Sequence, residues 1–139
     1  MAMTRLAFAT ILAALVAATA AGASPGKAYV SNCGKLEQHP ASLVLTCADA
    51  NYALAALKWS GWTLGSASAK GEVRANDCTP NCAAGHFHTY PVSVVADRLD
   101  ICKSTRVYLR LTLTYPGKRP AGHKKREPWT FTCAQALHG

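Results

Sequence analysis

Alternation of apolar and polar residues with a period of two is the feature that most constrains the fold of this chain. The segments that alternate most regularly are residues 43–47, 107–115 and 129–133. Successive side chains of a β-strand point to opposite faces of a sheet, so each segment is expected to bury one face and expose the other. We also predict strands in three segments of weaker alternation: residues 54–62, 91–96 and, as an edge strand, 66–74.

Turn residues separate these segments, and no helical pattern of about 10–15 residues alternates with them. The pattern therefore argues against an α/β fold and predicts an all-β domain. The expected architecture is an antiparallel β-sandwich, immunoglobulin-like, with a small barrel as the alternative. Trp59 and Trp62 lie three residues apart, so a regular strand would place them on opposite faces. One is expected in the core; the other either stacks with Tyr90 on a sugar ring or covers a sheet edge.

The six cysteines are even in number and are expected to form three disulfide bonds, for which 15 pairings exist. Cys78 and Cys82 enclose Thr-Pro-Asn, which favours a turn, and we predict a local disulfide loop there. The loop is expected to be a structural link, with presentation of residues 79–81 to a partner as the alternative. No Cys-x-x-Cys pair occurs in the sequence, which gives little support to a redox site or a zinc ribbon.

Two patterns remain open for the other four cysteines. In the favoured pattern, Cys102 pairs with Cys133 between two late strands, and Cys33 pairs with Cys47 near the N-terminus. The immunoglobulin-like alternative joins Cys47 to Cys133 across the sheets. The corner tyrosine of that fold is missing, because Phe131 stands two residues before Cys133.

The first 23 residues predict a signal peptide. A short basic start (residues 1–5) precedes an apolar run (residues 6–18), and residues 21–23 read Ala-Gly-Ala, the pattern that signal peptidase requires. We expect cleavage after Ala23, with residues 18–20 as the competing site. An uncleaved membrane anchor is the disfavoured alternative, because the apolar run is short and ends in small residues.

Removal of residues 1–23 leaves 116 residues, which fits one domain spanning residues 24–139. Because Arg5 leaves with the signal peptide, 14 Lys and Arg face 7 Asp and Glu, and the net charge is +7. A basic exported protein encounters anionic polymers, phospholipid headgroups and cell-wall phosphates rather than genomic DNA. We expect a secreted or cell-wall-associated protein with no nucleic-acid partner and no transmembrane segment after cleavage.

Two motifs carry a family resemblance. The first motif, residues 45–51, reads LTCADAN, and the second motif, residues 76–85, reads NDCTPNCAAG. Together they resemble a group of uncharacterised small secreted proteins of actinobacteria, over residues 42–133. Ala50 stands where that group is expected to carry glycine, which tolerates backbone angles that alanine resists. The resemblance implies a secreted domain and supplies no activity.

Basic residues are concentrated between two predicted strands, in a segment that we call the basic loop (residues 118–126). Pro120 and Gly122 mark the segment as a loop. Such a loop is suited to phosphate or carboxylate groups on a wall polymer, a lipid or an extracellular protein; the alternative is a solvated hairpin tip that aids solubility. Arg98, Lys103 and Arg106 would extend the patch if they fold nearby. The candidate anion-binding residues are Lys118, Arg119, Lys124, Lys125 and Arg126, with His123 among them.

His86 and His88 would share one face of a strand and reach one metal ion, with Asp77 or His123 as a third ligand. The alternative is a pair of surface imidazoles beside a turn. One His-x-His without a marked third ligand is a weak signal, so the sequence predicts no metal and no cofactor.

Catalytic motifs are not visible in the sequence: no G-x-S-x-G, no H-E-x-x-H and no Gly-rich phosphate loop occurs. The seven acidic residues form no convincing pair for glycoside cleavage. We therefore predict a non-enzymatic binding domain that uses its basic loop. The alternatives are an inhibitor of an extracellular protease, presenting residues 79–81 or the basic loop, and a hydrolase whose site has no recognisable motif.

Overall fold

The structure is a computed structural model that describes residues 26–139. The predicted signal peptide, residues 1–23, lies outside the described residues. Within them, most of the regular structure is β-strand, and one short helix ends the chain. The elements are β1 Ala28–Asn32, β2 Lys35–Glu37, β3 Leu43–Val44, β4 Tyr52–Trp62, β5 Ala67–Asn76, β6 Phe87–Cys102, β7 Thr105–Thr114, β8 Arg126–Thr130 and α1 Cys133–His138.

The eight strands join into one curled sheet. Their order along the sheet is β2-β1-β7-β6-β5-β4-β3. Strands β1 and β8 both pair with the same edge of β7. The start of β7 pairs with β1 in parallel, and its end pairs with β8 in antiparallel fashion. The mostly β fold class is therefore confirmed. The sandwich is not confirmed, because the pairings join all the described strands into one sheet rather than two stacked ones.

Side chains connect the two ends of the curled sheet. The indole Nε1 of Trp62, at the end of β4, donates to the carbonyl of Ala28 in β1 at 2.9 Å. Asn32 of β1 accepts a hydrogen bond from the backbone N–H of Val44 in β3 at 3.0 Å. The curl encloses the main core, to which six strands contribute. Its fully buried members include Leu43, Leu54, Val73, Val94, Leu111 and Leu113.

The alternation in β7 breaks in the middle of the strand. Val107 and Leu109 pack in a second cluster with Ala136 of α1, whereas Leu111 and Leu113 pack in the main core. The face of β7 that points away from the main core is therefore buried against α1 at Val107 and Leu109. The break coincides with a gap in the β6–β7 ladder at Arg98, which has a φ of +54°.

The prediction that Trp59 and Trp62 lie on opposite faces is wrong. Their rings meet edge to face with centroids 4.7 Å apart, and both pack against the main core. The pairing of β4 with β5 shifts register between Trp59 and Gly61, so the regular alternation does not hold. A second irregularity lies opposite Gly71, where an added Cβ would stand 2.6 Å from the carbonyl oxygen of Ala55.

Several strand boundaries also differ from the predictions. The segment predicted as an edge strand, 66–74, corresponds to β5, which lies inside the sheet between β4 and β6. The strand predicted over 129–133 ends at Thr130, and Cys133 begins α1. Thr132 starts this helix with a capping box: its hydroxyl accepts from Gln135 N, and the Gln135 side chain accepts from Thr132 N. Strands β1 and β2 were not among the predicted elements.

Three disulfide bonds form among the described residues: Cys33–Cys47, Cys78–Cys82 and Cys102–Cys133. These are the pairs of the favoured pattern, and the immunoglobulin-like Cys47–Cys133 bond does not form. The Cys102–Cys133 bond fastens α1 to the end of β6. Across residues 26–139, no helix is long and apolar enough to cross a membrane.

Candidate functional site

The two sequence motifs meet in space through a pair of asparagines. The backbone N–H of Asn76 donates to the carbonyl of Asn51 at 2.9 Å. The Asn76 side-chain amide donates to the Asn51 side-chain oxygen, also at 2.9 Å. The two motifs therefore form one framework at the end of the β4–β5 pair.

The first motif forms a turn that leads directly into Tyr52, the first residue of β4. Thr46 accepts from the backbone N–H of Tyr52 at 3.0 Å, and Asp49 accepts from that of Asn51 at 3.0 Å. Ala50, between them, has a φ of +53°, in the left-handed region that favours glycine. The turn thus has the conformation for which glycine was expected at this position.

The second motif folds onto itself around Asn76. The Asn76 amide also donates to the carbonyl of Cys82 at 2.8 Å, while its oxygen accepts from the backbone N–H of Cys78 at 3.0 Å. A Cβ on Gly85 would overlap the Asn76 oxygen and come within 2.8 Å of Cys78 N. The Cys78–Cys82 loop is therefore held by hydrogen bonds and close packing as well as by its disulfide.

Asp77 organises the side of this loop that faces the start of β6. One carboxylate oxygen accepts from the backbone N–H groups of His86 at 2.9 Å and Thr79 at 3.1 Å. The other accepts from Nε2 of His88 at 2.9 Å. The N–H of His86, the imidazole of His88 and the N–H of Thr79 together hold the pKa of Asp77 well below its usual range. Asp77 is therefore a carboxylate at neutral pH, and His88 is the donor in the pair.

A pocket of about 300 Å³ opens between the second motif and the basic loop. Asp77, Thr79 and His88 form one wall, and Tyr52 and Tyr90 add aromatic surface. The opposite wall is the basic loop. The full lining is Tyr52, Ala75, Asn76, Asp77, Thr79, His88, Tyr90, Pro120, Ala121 and His123.

The basic loop reaches the pocket because it is anchored to the sheet at His123. The His123 ring stacks on Tyr52 with centroids 4.7 Å apart and an interplanar angle of 5°. Its Nδ1 donates to the Glu127 carboxylate at 2.9 Å, and its carbonyl accepts from Nε of Arg119 at 2.8 Å. Pro120 is buried beside it. The loop is thus an ordered structure with its own hydrogen bonds.

Tyr115 and Trp129 fix the position of Tyr52. Its hydroxyl forms a short hydrogen bond with that of Tyr115, and its ring stacks on Trp129 as well as on His123. Burial and this bond raise the pKa of Tyr52, so its hydroxyl stays protonated. Tyr52 is therefore a buried, fixed support for His123 at the edge of the pocket.

A second, shallower groove of about 420 Å³ continues from the pocket along the basic loop. Tyr90, Pro120, Ala121 and His123 line both cavities. Lys118 and Arg119 line the groove only. The two cavities therefore form one continuous depression, polar at one end and cationic at the other.

The predicted site residues fall into three groups in the structure. Lys118 and Arg119 border the groove, and the remaining predicted cations are exposed farther along the loop: Lys124, Lys125 and Arg126. Lys103 and Arg106 do not extend this patch, because they lie at the β6–β7 turn, at the other end of β7.

Three of the four metal candidates, Asp77, His88 and His123, line the pocket. His86 is exposed outside its lining and precedes β6. Within residues 26–139, no three His, Cys, Asp or Glu side chains are grouped as a metal site would require. Sequence reasoning missed Tyr52 and the pocket role of Asp77, although both stand next to an asparagine of the two motifs.

Comparison with models of protein families, with curated proteins and with solved structures found no match to this chain.

Proposed function

We propose that this protein is a secreted, disulfide-stabilised binding domain, not an enzyme, that holds an anionic cell-wall polymer through the basic loop. The export pattern of residues 1–23 supports secretion, as do three disulfide bonds, which persist in oxidising compartments. The observation that carries the binding role is that five exposed cations crowd one ordered loop. Within residues 26–139, none of the five forms an ion pair: Lys118, Arg119, Lys124, Lys125 and Arg126.

The anchoring of the loop favours a binding role over a merely solvated hairpin tip. The stacking of His123 on Tyr52 and the bond from Arg119 to the His123 carbonyl order the backbone before any ligand arrives. A preorganised site loses less conformational entropy on binding than a mobile one. Loop cations that form no ion pair within the described residues attract phosphate and carboxylate groups, and the attraction weakens as salt screens it.

The test is binding to an immobilised anionic polysaccharide, polygalacturonate, at low and at physiological salt. The test variant replaces the five loop cations with glutamine. Each cation near an anionic surface contributes about 1 kcal/mol, so loss of all five should weaken binding at low salt by about a thousandfold or more. The matched control removes the same charge elsewhere, at five exposed cations: Lys27, Lys58, Lys70, Lys103 and Arg106. Equal losses in the two variants would show that net charge, and not this loop, determines binding.

The second candidate is an inhibitor of an extracellular protease that presents residues 79–81. These residues form the exposed tip of a loop that the Cys78–Cys82 bond and Asn76 hold rigid. The basic loop suits this role less, because Arg119 is bonded to the His123 carbonyl and would have to leave it to enter a protease pocket. Inhibition assays against a panel of serine proteases distinguish the candidates. Inhibition lost on replacement of Thr79 and kept in the five-glutamine variant would favour the inhibitor.

A further inference from the structure

The pocket beside the basic loop differs from the loop in charge. It contains the Asp77 carboxylate, which is ionised, and this negative charge opposes entry of a phosphate or a second carboxylate. The groove beside it carries Lys118 and Arg119 and attracts such groups. A ligand that fills both cavities therefore has an uncharged, hydrogen-bonding part next to an anionic part.

The chemistry of the pocket fits the hydroxyl groups of a sugar ring. Asp77 offers acceptor oxygens, and the Tyr90 hydroxyl both donates and accepts. The Thr79 hydroxyl donates to the Asp77 carbonyl at 3.2 Å and can accept from a ligand. Among the described residues, each of the two pocket histidines has only one ring nitrogen in a hydrogen bond: Nε2 of His88 and Nδ1 of His123. The second nitrogen of each ring remains available to a ligand hydroxyl.

The size and the lining of the pocket favour a single ring. Its volume of about 300 Å³ lies at the lower end of the usual range for small-molecule sites. Tyr90 and His123, which are both partly exposed, line it with aromatic surface against which the C–H groups of a sugar can pack. Because Tyr90 and His123 line both cavities, the next unit of a chain would pass directly into the groove.

We propose that the ligand is an anionic polysaccharide: one sugar ring occupies the pocket between the second motif and the basic loop, and the neighbouring carboxylate or phosphate lies beside Lys118 and Arg119. This inference rests on the proposed function and names the class of polymer that the site takes. Polyanions without sugar rings would engage the loop cations alone.

A polysaccharide fits this region better than a lipid bilayer does. Proteins that lie on a bilayer insert large apolar side chains next to their cations. The basic loop contains only Pro120, Ala121 and Gly122 besides its charged residues and His123. The exposed large apolar side chains of the described residues lie outside the loop: Leu64, Phe87, Val95 and Ile101.

The experiment compares probes at equal concentrations of anionic groups in binding titrations with the full mature chain. The anionic polysaccharides are polygalacturonate, hyaluronate and phosphomannan, which separate carboxylate from phosphate as the anionic group. The polyanions without sugars are polyglutamate and polyphosphate, and vesicles with anionic lipid test the membrane. We expect at least one polysaccharide to bind about tenfold more tightly than either sugar-free polyanion.

Variants assign that preference to the pocket. His88→Ala and Tyr90→Phe each remove a hydrogen-bonding group and should lower polysaccharide affinity about 3- to 10-fold. Polyglutamate affinity should be unchanged in His88→Ala, because His88 lines the pocket and not the groove. Thr89→Ala is the matched control, because Thr89 lies between these residues in β6 and is not part of the pocket lining. Amide NMR signals of Asp77 and His88 should shift saturably with polysaccharide, which reports on the pocket even if one variant folds poorly.

Three outcomes separate this inference from the proposed function. Equal binding of all polyanions, unaffected by His88→Ala and Tyr90→Phe, would overturn the sugar pocket and leave the basic loop as the binding surface. Tighter binding to vesicles than to any polysaccharide would overturn the choice of a polysaccharide. No salt-sensitive binding to any probe would overturn the proposed function itself.

Discussion

Replacement of Ala50 by glycine should stabilise the protein. Ala50 is exposed and has a φ of +53°, in the turn formed by the first motif. The left-handed conformation costs a residue with a Cβ about 1–2 kcal/mol. Glycine avoids this cost, but it loses about 0.5–1 kcal/mol more backbone entropy on folding than alanine does. The net expectation for Ala50→Gly is a gain of about 0.5–1 kcal/mol in the free energy of unfolding.

Ala48 provides the matched control in the same turn. It is also exposed, and its φ is not positive. Ala48→Gly therefore incurs only the entropy cost and should lose about 0.5–1 kcal/mol. The two substitutions remove the same methyl group, so they differ in backbone conformation and not in the chemical change.

Urea denaturation at pH 7 with the disulfides intact measures both effects. The slope of the unfolding free energy against urea should stay the same in all three proteins, because little buried surface changes. The midpoint should rise for Ala50→Gly and fall for Ala48→Gly. A fall of similar size in both variants would refute the reasoning, because it would mean that the turn imposes no penalty on alanine at position 50.

Three further predictions concern other parts of the structure. Lys103 and Ser104 both have positive φ, +46° and +68°, in the two-residue turn between β6 and β7. Their replacement by Asn-Gly should raise the free energy of unfolding by about 1 kcal/mol, and an unchanged urea midpoint would contradict this. The Cys102→Ala/Cys133→Ala double variant removes the disulfide bond between two residues 31 positions apart and should lose about 4 kcal/mol of unfolding free energy in the same assay. A loss below about 1 kcal/mol would contradict this prediction. The pKa of Asp77 is lowered in the folded protein, so its ionised carboxylate stabilises the fold above about pH 4, and this stabilisation is lost as the pH falls further. Asp77→Asn should therefore flatten the acid limb of a plot of unfolding free energy against pH. Parallel curves for the two proteins would show that the carboxylate contributes no stability.

Much of the local structure follows from neighbouring residues in the sequence. The β fold class and most strands follow from alternation, because a strand exposes every second side chain to the same environment. The glycine expected at position 50 corresponds to a positive φ in the structure, since the turn geometry is determined within a few residues. The capping box of Thr132 and Gln135 was also readable in the sequence, and without it the last predicted strand ran on to residue 133.

The irregular positions in β4 and β7 could not be predicted from neighbouring residues in the sequence. The contact of Trp59 with Trp62 depends on a register shift between β4 and β5, which follows from how two strands fit each other. The packing of Val107 and Leu109 in a second cluster, apart from Leu111 and Leu113, depends on α1, whose position is determined by its packing and by the Cys102–Cys133 bond. Such features arise from contacts between distant segments, so no window of the sequence contains them.

The candidate site likewise combines parts that the sequence predicts with an arrangement that only the structure shows. The sequence by itself determined its parts: a cationic loop marked by proline and glycine, a disulfide-closed turn rich in asparagine, and cysteines in an even number. Only the tertiary structure placed Asp77 and His88 opposite His123, because the curl of the sheet and the stacking of His123 on Tyr52 bring together residues far apart in the chain. Local turns depend on backbone preferences of a few residues, whereas a pocket between distant loops requires the whole sheet to form, and for that reason the pocket could not be predicted from the sequence.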